Sequence, residues 1–174
     1  HGSGSGKGLI NDIALKMFGN YGLIGNNALL FGINKTGSNP EKNNLHLKRF
    51  VIFRGPAERN KIENSVAKEL TGGGYFPARG LYGSDTKEKL KLSATTILEC
   101  NKRPLFAEEP IEPELRKFID IHFSRIFTDK IEDVDEENNV FLANVMYKNE
   151  DFQEKHKTAL FRILLDAYKC YKDR

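Results

Sequence analysis

The sequence predicts an α/β domain in which buried parallel strands alternate with helices. Three observations predict it. A glycine-rich loop, Gly2 to Gly8, runs straight into a helical pattern. The run Phe50-Val51-Ile52-Phe53 is apolar at every position, as a strand covered on both faces of a parallel sheet must be. A second strand pattern, Ala94 to Leu98, follows an intervening helix. The length of 174 residues suits one domain, burying roughly 70% of its unfolded surface.

Each element has its own warrant. Ile10, Ile13, Ala14, Met17 and Phe18 recur at helical spacing, and Gly19, Asn20 and Gly22 punctuate the end. Asn27 to Ile33 reads as a short apolar strand. Residues 34–44 are polar, with Gly37, Ser38, Asn39 and Pro40, and read as a loop or a loosely held helix start. Asn60 to Leu70 reads as a helix through Ile62, Val66 and Leu70, with Asn60 as cap and Glu63 completing a capping box. Thr71-Gly72-Gly73-Gly74 ends it.

Tyr75 to Tyr82 and the strands at Leu90 and Leu92 flank a charged turn, residues 83–89. Arg79, Lys87, Lys89 and Lys91 interleave with aromatics there. Such a pattern can suit a single-stranded nucleic-acid backbone, but by itself it fits an ordinary charged hairpin better. The strand at residues 94–98 ends near Asn101, a position where open α/β sheets bind ligands. Over Phe118 to Arg125 helix and strand compete, with the alternation favouring a strand, and residues 128–139 read as an acidic, solvated loop. Leu160, Ile163, Leu164, Ala167, Tyr168 and Tyr171 lie on one face of a helix over 154–171.

The glycine loop carries the chemistry. A loop of this kind opening a helix aims several backbone N–H groups, and the positive end of the helix dipole, at one point. Phosphate is the natural guest. Gly4, Ser5, Gly6, Lys7 and Gly8 form the candidate cradle, and Lys7 would reach the β- and γ-phosphates. The full nucleotide-loop pattern needs a glycine at His1 and a hydroxyl residue at Gly8, and neither is present. A flexible glycine–serine linker fits the same residues.

Composition narrows the classes. Charged residues make up 29% and aromatics 10%, and the net charge of +3 permits a polyanionic partner. No apolar run approaches the ~20 residues of a membrane span. Two cysteines form no disulfide framework, and four scattered histidines show no metal-ligand spacing.

Taken together, Lys48 to Phe53, Pro56, Lys68 to Gly73, Ala78-Arg79-Gly80, and Glu99-Cys100-Asn101 with Pro104 resemble the superfamily 3 helicases. The likeness is greatest to the primase-helicases of poxviruses and giant (nucleocytoplasmic large) DNA viruses, with their phage and plasmid relatives. Gly6-Lys7-Gly8, Gly19-Asn20-Tyr21 and Ser38 to Glu41 fall in the matching order.

The resemblance implies a P-loop NTPase of AAA+ type, mainly a parallel sheet flanked by helices and truncated before its first strand. Residues 1–127 would form the ATPase core and 128–174 a C-terminal helical extension. Gly6 and Lys7 match the Walker A motif, and Phe50 to Pro56 the Walker B strand, with Gly55 where the family has Glu. Glu58 is the nearest substitute acid. Asn101 matches the polar sensor, and Arg116 the arginine finger, which acts on a neighbour's ATP and is worth about 10³–10⁵ in rate. Arg79, Lys87 and Lys89 fall in the DNA-contacting hairpin.

ATP and Mg²⁺ are the implied cofactors, and single-stranded DNA the implied partner, inside a homo-hexameric ring. An upstream primase domain and an intracellular site of viral replication, in host cytoplasm or nucleus, are implied as well. Two alternatives stand beside the helicase: a catalytically impaired nucleotide- and DNA-binding module for ring assembly, and a small-molecule P-loop kinase.

Overall fold

The computed structural model describes residues 4–31, 40–55, 60–72, 75–77 and 89–173 of the chain. In order these form α1 (Lys7–Phe18), β1 (Gly22–Ile24), α2 (Asn27–Leu30), α3 (Pro40–Asn44), β2 (Phe50–Arg54), β3 (Lys61–Ile62), α4 (Asn64–Gly72), β4 (Tyr75–Pro77), β5 (Lys89–Lys91) and β6 (Thr95–Glu99). Then follow β7 (Leu105–Phe106), α5 (Glu112–Leu115), β8 (Ile126–Thr128), β9 (Val140–Leu142) and α6 (Glu150–Lys172). The fold is mixed α/β. It divides into two compact units, residues 20–121 and residues 1–19 with 122–174.

The 20–121 unit is built around β2. It lies between β1 and β6, and both pairings are parallel, with Leu23 opposite Val51 and Ile52 opposite Ile97. A central parallel strand has no wet face. Accordingly Val51, Ile52 and Phe53 are fully buried, as the unbroken apolar run anticipates. Val51 and Phe53 pack with Leu29, Leu30, Leu45, Leu70 and Leu92 into one core. Gly25 follows β1 because a β-carbon there would stand 2.4 Å from Cε1 of Phe53. Its N–H donates to the Ile52 carbonyl at 2.8 Å, extending the ladder by one bond.

Three expectations are corrected. Asn27 to Leu30 is a helical turn, not a strand. Asn26 caps it by accepting from the Ala28 N–H, and the turn carries Leu29 and Leu30 into the core. Ile33 lies outside the described residues. The helix read from Asn60 begins at Asn64 instead, because Lys61 and Ile62 pair in parallel with Leu105 and Phe106. Ile62 is buried from a strand, so its helical spacing to Val66 was coincidental. No strand forms over Phe118 to Arg125. Ile119 and Ile121 are 85% and 72% exposed, and the first strand in that region is β8. Within the polar 34–44 stretch, residues 40–44 form α3.

The other unit pairs α1 with α6. Ile13 and Ala14 face inward, but so does Asn11, while Ile10 is half exposed. The apolar face is therefore rotated from the one read off the sequence. Lys16 Nζ bonds Glu150 Oε1 at 2.9 Å, setting the end of α1 against the start of α6. That bond raises the pKa of Lys16 and lowers that of Glu150. Asn149 caps α6 by accepting from the Asp151 N–H, so the helix starts before the expected residue 154. β8 and β9 form a short parallel pair, with Phe127 opposite Phe141. Between them lies the acidic stretch, an exposed turn with one bridge from Asp135 to Val140. Among the described residues no helix is long and apolar enough to cross a membrane.

Candidate nucleotide site and nucleic-acid hairpin

The glycine loop is built from backbone conformations open to few residues but glycine. Gly4 has φ +91° and Gly6 φ +80°, both left-handed. Between them Ser5 turns inward and is 6% exposed. Gly6 is the N-cap of α1 and offers no side chain to the helix start. The first-turn N–H groups have no intrahelical acceptor, so an anion at this point would meet oriented donors and the positive dipole end.

Lys7 opens α1, and its Nζ donates to Ser5 Oγ at 2.9 Å. The ammonium is thus folded back over the loop. Phe127 holds the loop from the other side. Its N–H donates to the Gly4 carbonyl at 3.0 Å, and one ring edge comes within 3.9 Å of a β-carbon placed on Gly6. Sequence reasoning missed Phe127, because no local pattern marks a residue that meets Gly4 only after the chain folds.

The carboxyl end of the three-stranded sheet lies in the other unit. There Arg54 Nε stands 3.7 Å from Glu99 Oε2, and Asn27 Nδ2 donates to the Arg54 carbonyl at 2.7 Å. The Gly55 N–H donates to the Glu99 carbonyl at 2.9 Å. Gly55 itself has φ +53°, and among the described residues nothing lies within 4 Å of where a side chain would begin. Asn101 is exposed just beyond β6.

Arg116 is exposed at the end of α5, where Glu112 Oε1 accepts from it at 3.0 Å. α5 is tied to α4 by Lys68, whose Nζ lies 2.6 Å from Glu114 Oε1, and by Asn64, which bonds the same carboxylate at 3.3 Å. The Lys68 ammonium, and then the Asn64 amide, hold the Glu114 carboxyl below its usual pKa. Asn64 also accepts from the Glu108 N–H at 3.1 Å, closing a small polar cluster.

Glu58, Arg79 and Lys87 lie outside the described residues. The strands flanking the latter two are described. β4 and β5 pair antiparallel, with Pro77 opposite Lys89 and Tyr75 opposite Lys91, which is the ladder a hairpin needs.

The donor set for a metal is poor. Gly8 has no hydroxyl, Gly55 no carboxylate, and Ser5 Oγ already accepts from Lys7. Among the described residues no group of three His, Cys, Asp or Glu side chains could hold an ion. These residues fit a phosphate chain better than a protein-held Mg²⁺, which would have to come with its own phosphate ligands. No protein-family model matches the chain, and no curated protein sequence matches it.

Proposed function

We propose that this chain is the ATPase part of a DNA helicase of the superfamily 3, AAA+ type. ATP would bind on the loop from Gly4 to Gly8. One observation carries the reading: two left-handed glycines deliver the chain into α1 with a lysine at its first position. In this reading the N–H groups at the start of α1 take the β- and γ-phosphate oxygens. Lys7 exchanges its bond to Ser5 for one to phosphate, so the loop and lysine are already in place before nucleotide arrives. The parallel sheet centred on β2 and the antiparallel β4–β5 ladder are compatible with the motor and its DNA hairpin.

The remaining roles rest on the family resemblance. Asn101 would orient the attacked phosphate. Arg116, exposed on α5, would reach ATP on a neighbouring subunit of a homo-hexamer. Lys89, with Arg79 and Lys87, would track single-stranded DNA. The setting would be viral or phage replication, with a primase domain elsewhere in the parent protein.

The deciding experiment measures ATP hydrolysis with and without single-stranded DNA, beside Lys7→Ala. DNA-stimulated turnover that vanishes in the variant is the expected result. The absence of both turnover and ATP binding in the wild type would overturn the reading.

One feature favours a second reading, a nucleotide- and DNA-binding module that assembles rings without hydrolysis. Gly55 stands where the family carries its glutamate, and its φ of +53° suits glycine rather than an acid. ATP binding without turnover, with DNA binding dependent on ATP, would put this reading first.

A further inference from the structure

We propose that the C-terminal half of α6 pairs with the same half of α6 in a second copy of this chain, antiparallel about a two-fold axis near Asp166. The lengths of the two helices of this unit point there first. α1 has 12 residues and α6 has 23, so they span about 18 Å and about 35 Å. Because Lys16 meets Glu150 and the helices pack together, α1 runs back along α6 only to about the level of residue 159. The last three turns of α6 extend past it.

Those turns are not polar. Phe161, Ile163, Leu164, Leu165, Tyr168 and Tyr171 are between 41% and 75% exposed. Ile163 points away from the others, more than ~100° around the helix from Phe161 and Tyr168. The remaining five present roughly 500 Å² of largely apolar surface on one side, at the upper end of what a monomer usually shows. Two such faces brought together would bury roughly 1,000 Å², about the least that a specific interface buries.

The spacing suits a copy of itself. Phe161, Leu164, Tyr168 and Tyr171 follow the 3-4-3 rhythm of a coiled-coil seam. Antiparallel pairing about Asp166 sets Phe161 level with Tyr171 of the partner subunit, and Leu164 level with Tyr168 of the partner subunit. The partner's helix then ends level with Leu160, so it fills only the length that α1 leaves open. A parallel pair would instead crowd both copies of α1 at one end. Charge does not oppose the contact. Arg162, Asp166 and Lys169 lie off the seam, and Lys169 already bonds Asp166 at 3.1 Å. Lys172 lies over the Tyr168 ring, 5.6 Å from its centroid.

This pairing is independent of the nucleotide reading. Sedimentation equilibrium of the chain from about 1 to 100 μM tests it, beside Leu164→Glu and Tyr168→Glu. Both side chains are about half exposed, so the variants should keep the wild-type circular dichroism and melting temperature. The expected result is wild-type self-association into dimers, or into even-numbered assemblies of them, and at least tenfold weaker association in each variant. A wild type that stays monomeric at 100 μM would overturn the proposal, as would an assembly that neither variant weakens. Spin labels at Lys155→Cys, with Cys100 and Cys170 replaced by Ser, report direction. Antiparallel helices hold them more than ~30 Å apart, and a short distance would overturn the arrangement.

Discussion

Phe127 and Gly4 meet backbone to backbone: the Phe127 N–H donates to the Gly4 carbonyl at 3.0 Å, and the Phe127 carbonyl oxygen lies 2.8 Å from where a Gly4 β-carbon would stand. The glycine loop is therefore shaped by a strand far along the chain as well as by its own sequence. Gly4→Ala meets two obstacles, a φ of +91° and a collision with backbone that cannot rotate away. Among the described residues Gly6→Ala meets only one, because its nearest described neighbour is a ring edge at 3.9 Å. Gly6→Ala should cost about 1–2 kcal/mol and Gly4→Ala more than that. Thermal melts read the order directly. If ATP binds this loop, titration calorimetry should show affinity falling in the same order. Equal effects would mean that Phe127 does not constrain the loop.

A second glycine is fixed by packing alone. A β-carbon on Gly25 would lie 2.4 Å, 2.8 Å and 2.9 Å from three ring atoms of Phe53, which is fully buried. The ring cannot swing aside without disturbing the core that Val51, Leu29 and Leu70 share with it. Gly25→Ala should destabilise the 20–121 unit by about 1–3 kcal/mol. Adding Phe53→Leu should recover part of that loss, since it removes the struck atoms. Urea unfolding of the single and double variants tests this, and strict additivity would contradict it.

What was legible in the sequence follows from where the information lies. β2 was readable because a strand buried on both faces must be apolar at every position, and Phe50 to Phe53 is. α1 was readable because its end is local, with Gly19 at φ +51° just past Phe18. Asn27 to Leu30 was misread because four apolar-rich residues do not distinguish a turn of helix from a strand. The deciding bond, from the Ala28 N–H to Asn26, lies in the preceding polar residue. Ile62 was misread because its partner strand, Leu105 and Phe106, lies far along the chain. At the candidate site the glycines and Lys7 were legible as a pattern, whereas the hold of Phe127 on Gly4 is purely tertiary.

The link between α4 and α5 should depend on pH. Glu114 is 12% exposed and bonds both Lys68 and Asn64, and its carboxyl titrates below the ordinary value. The folded state therefore binds that proton less readily than the unfolded chain does. Its stabilising contribution is full above the unfolded carboxylate pKa, near 4.3, and is lost as pH falls through the lower folded value. Glu114→Gln should melt below the wild type at pH 7. The two melting curves should converge as the buffer is taken below pH 4. A gap that stays constant over that range would show that the carboxylate charge contributes nothing to the link.

Gly55 offers the sharpest separation of the two functional readings. Its φ of +53° puts a strain of about 1–2 kcal/mol on any residue with a β-carbon, and least on asparagine. Among the described residues nothing lies within 4 Å of a β-carbon there, so strain is what those residues set against an acid. Gly55→Asn should thus melt near the wild type, with Gly55→Ala and Gly55→Glu both lower and close to each other. Chemistry then separates from stability. If the chain already hydrolyses ATP, another group supplies the acid, and Gly55→Glu should leave turnover level or reduce it. If the chain binds ATP without turning it over, Gly55→Glu restores the residue that the helicase resemblance expects at the end of β2, and turnover should appear that Gly55→Gln lacks. Turnover gained by Glu and Gln alike would point to altered backbone geometry, and would remove the missing acid as the reason for inactivity.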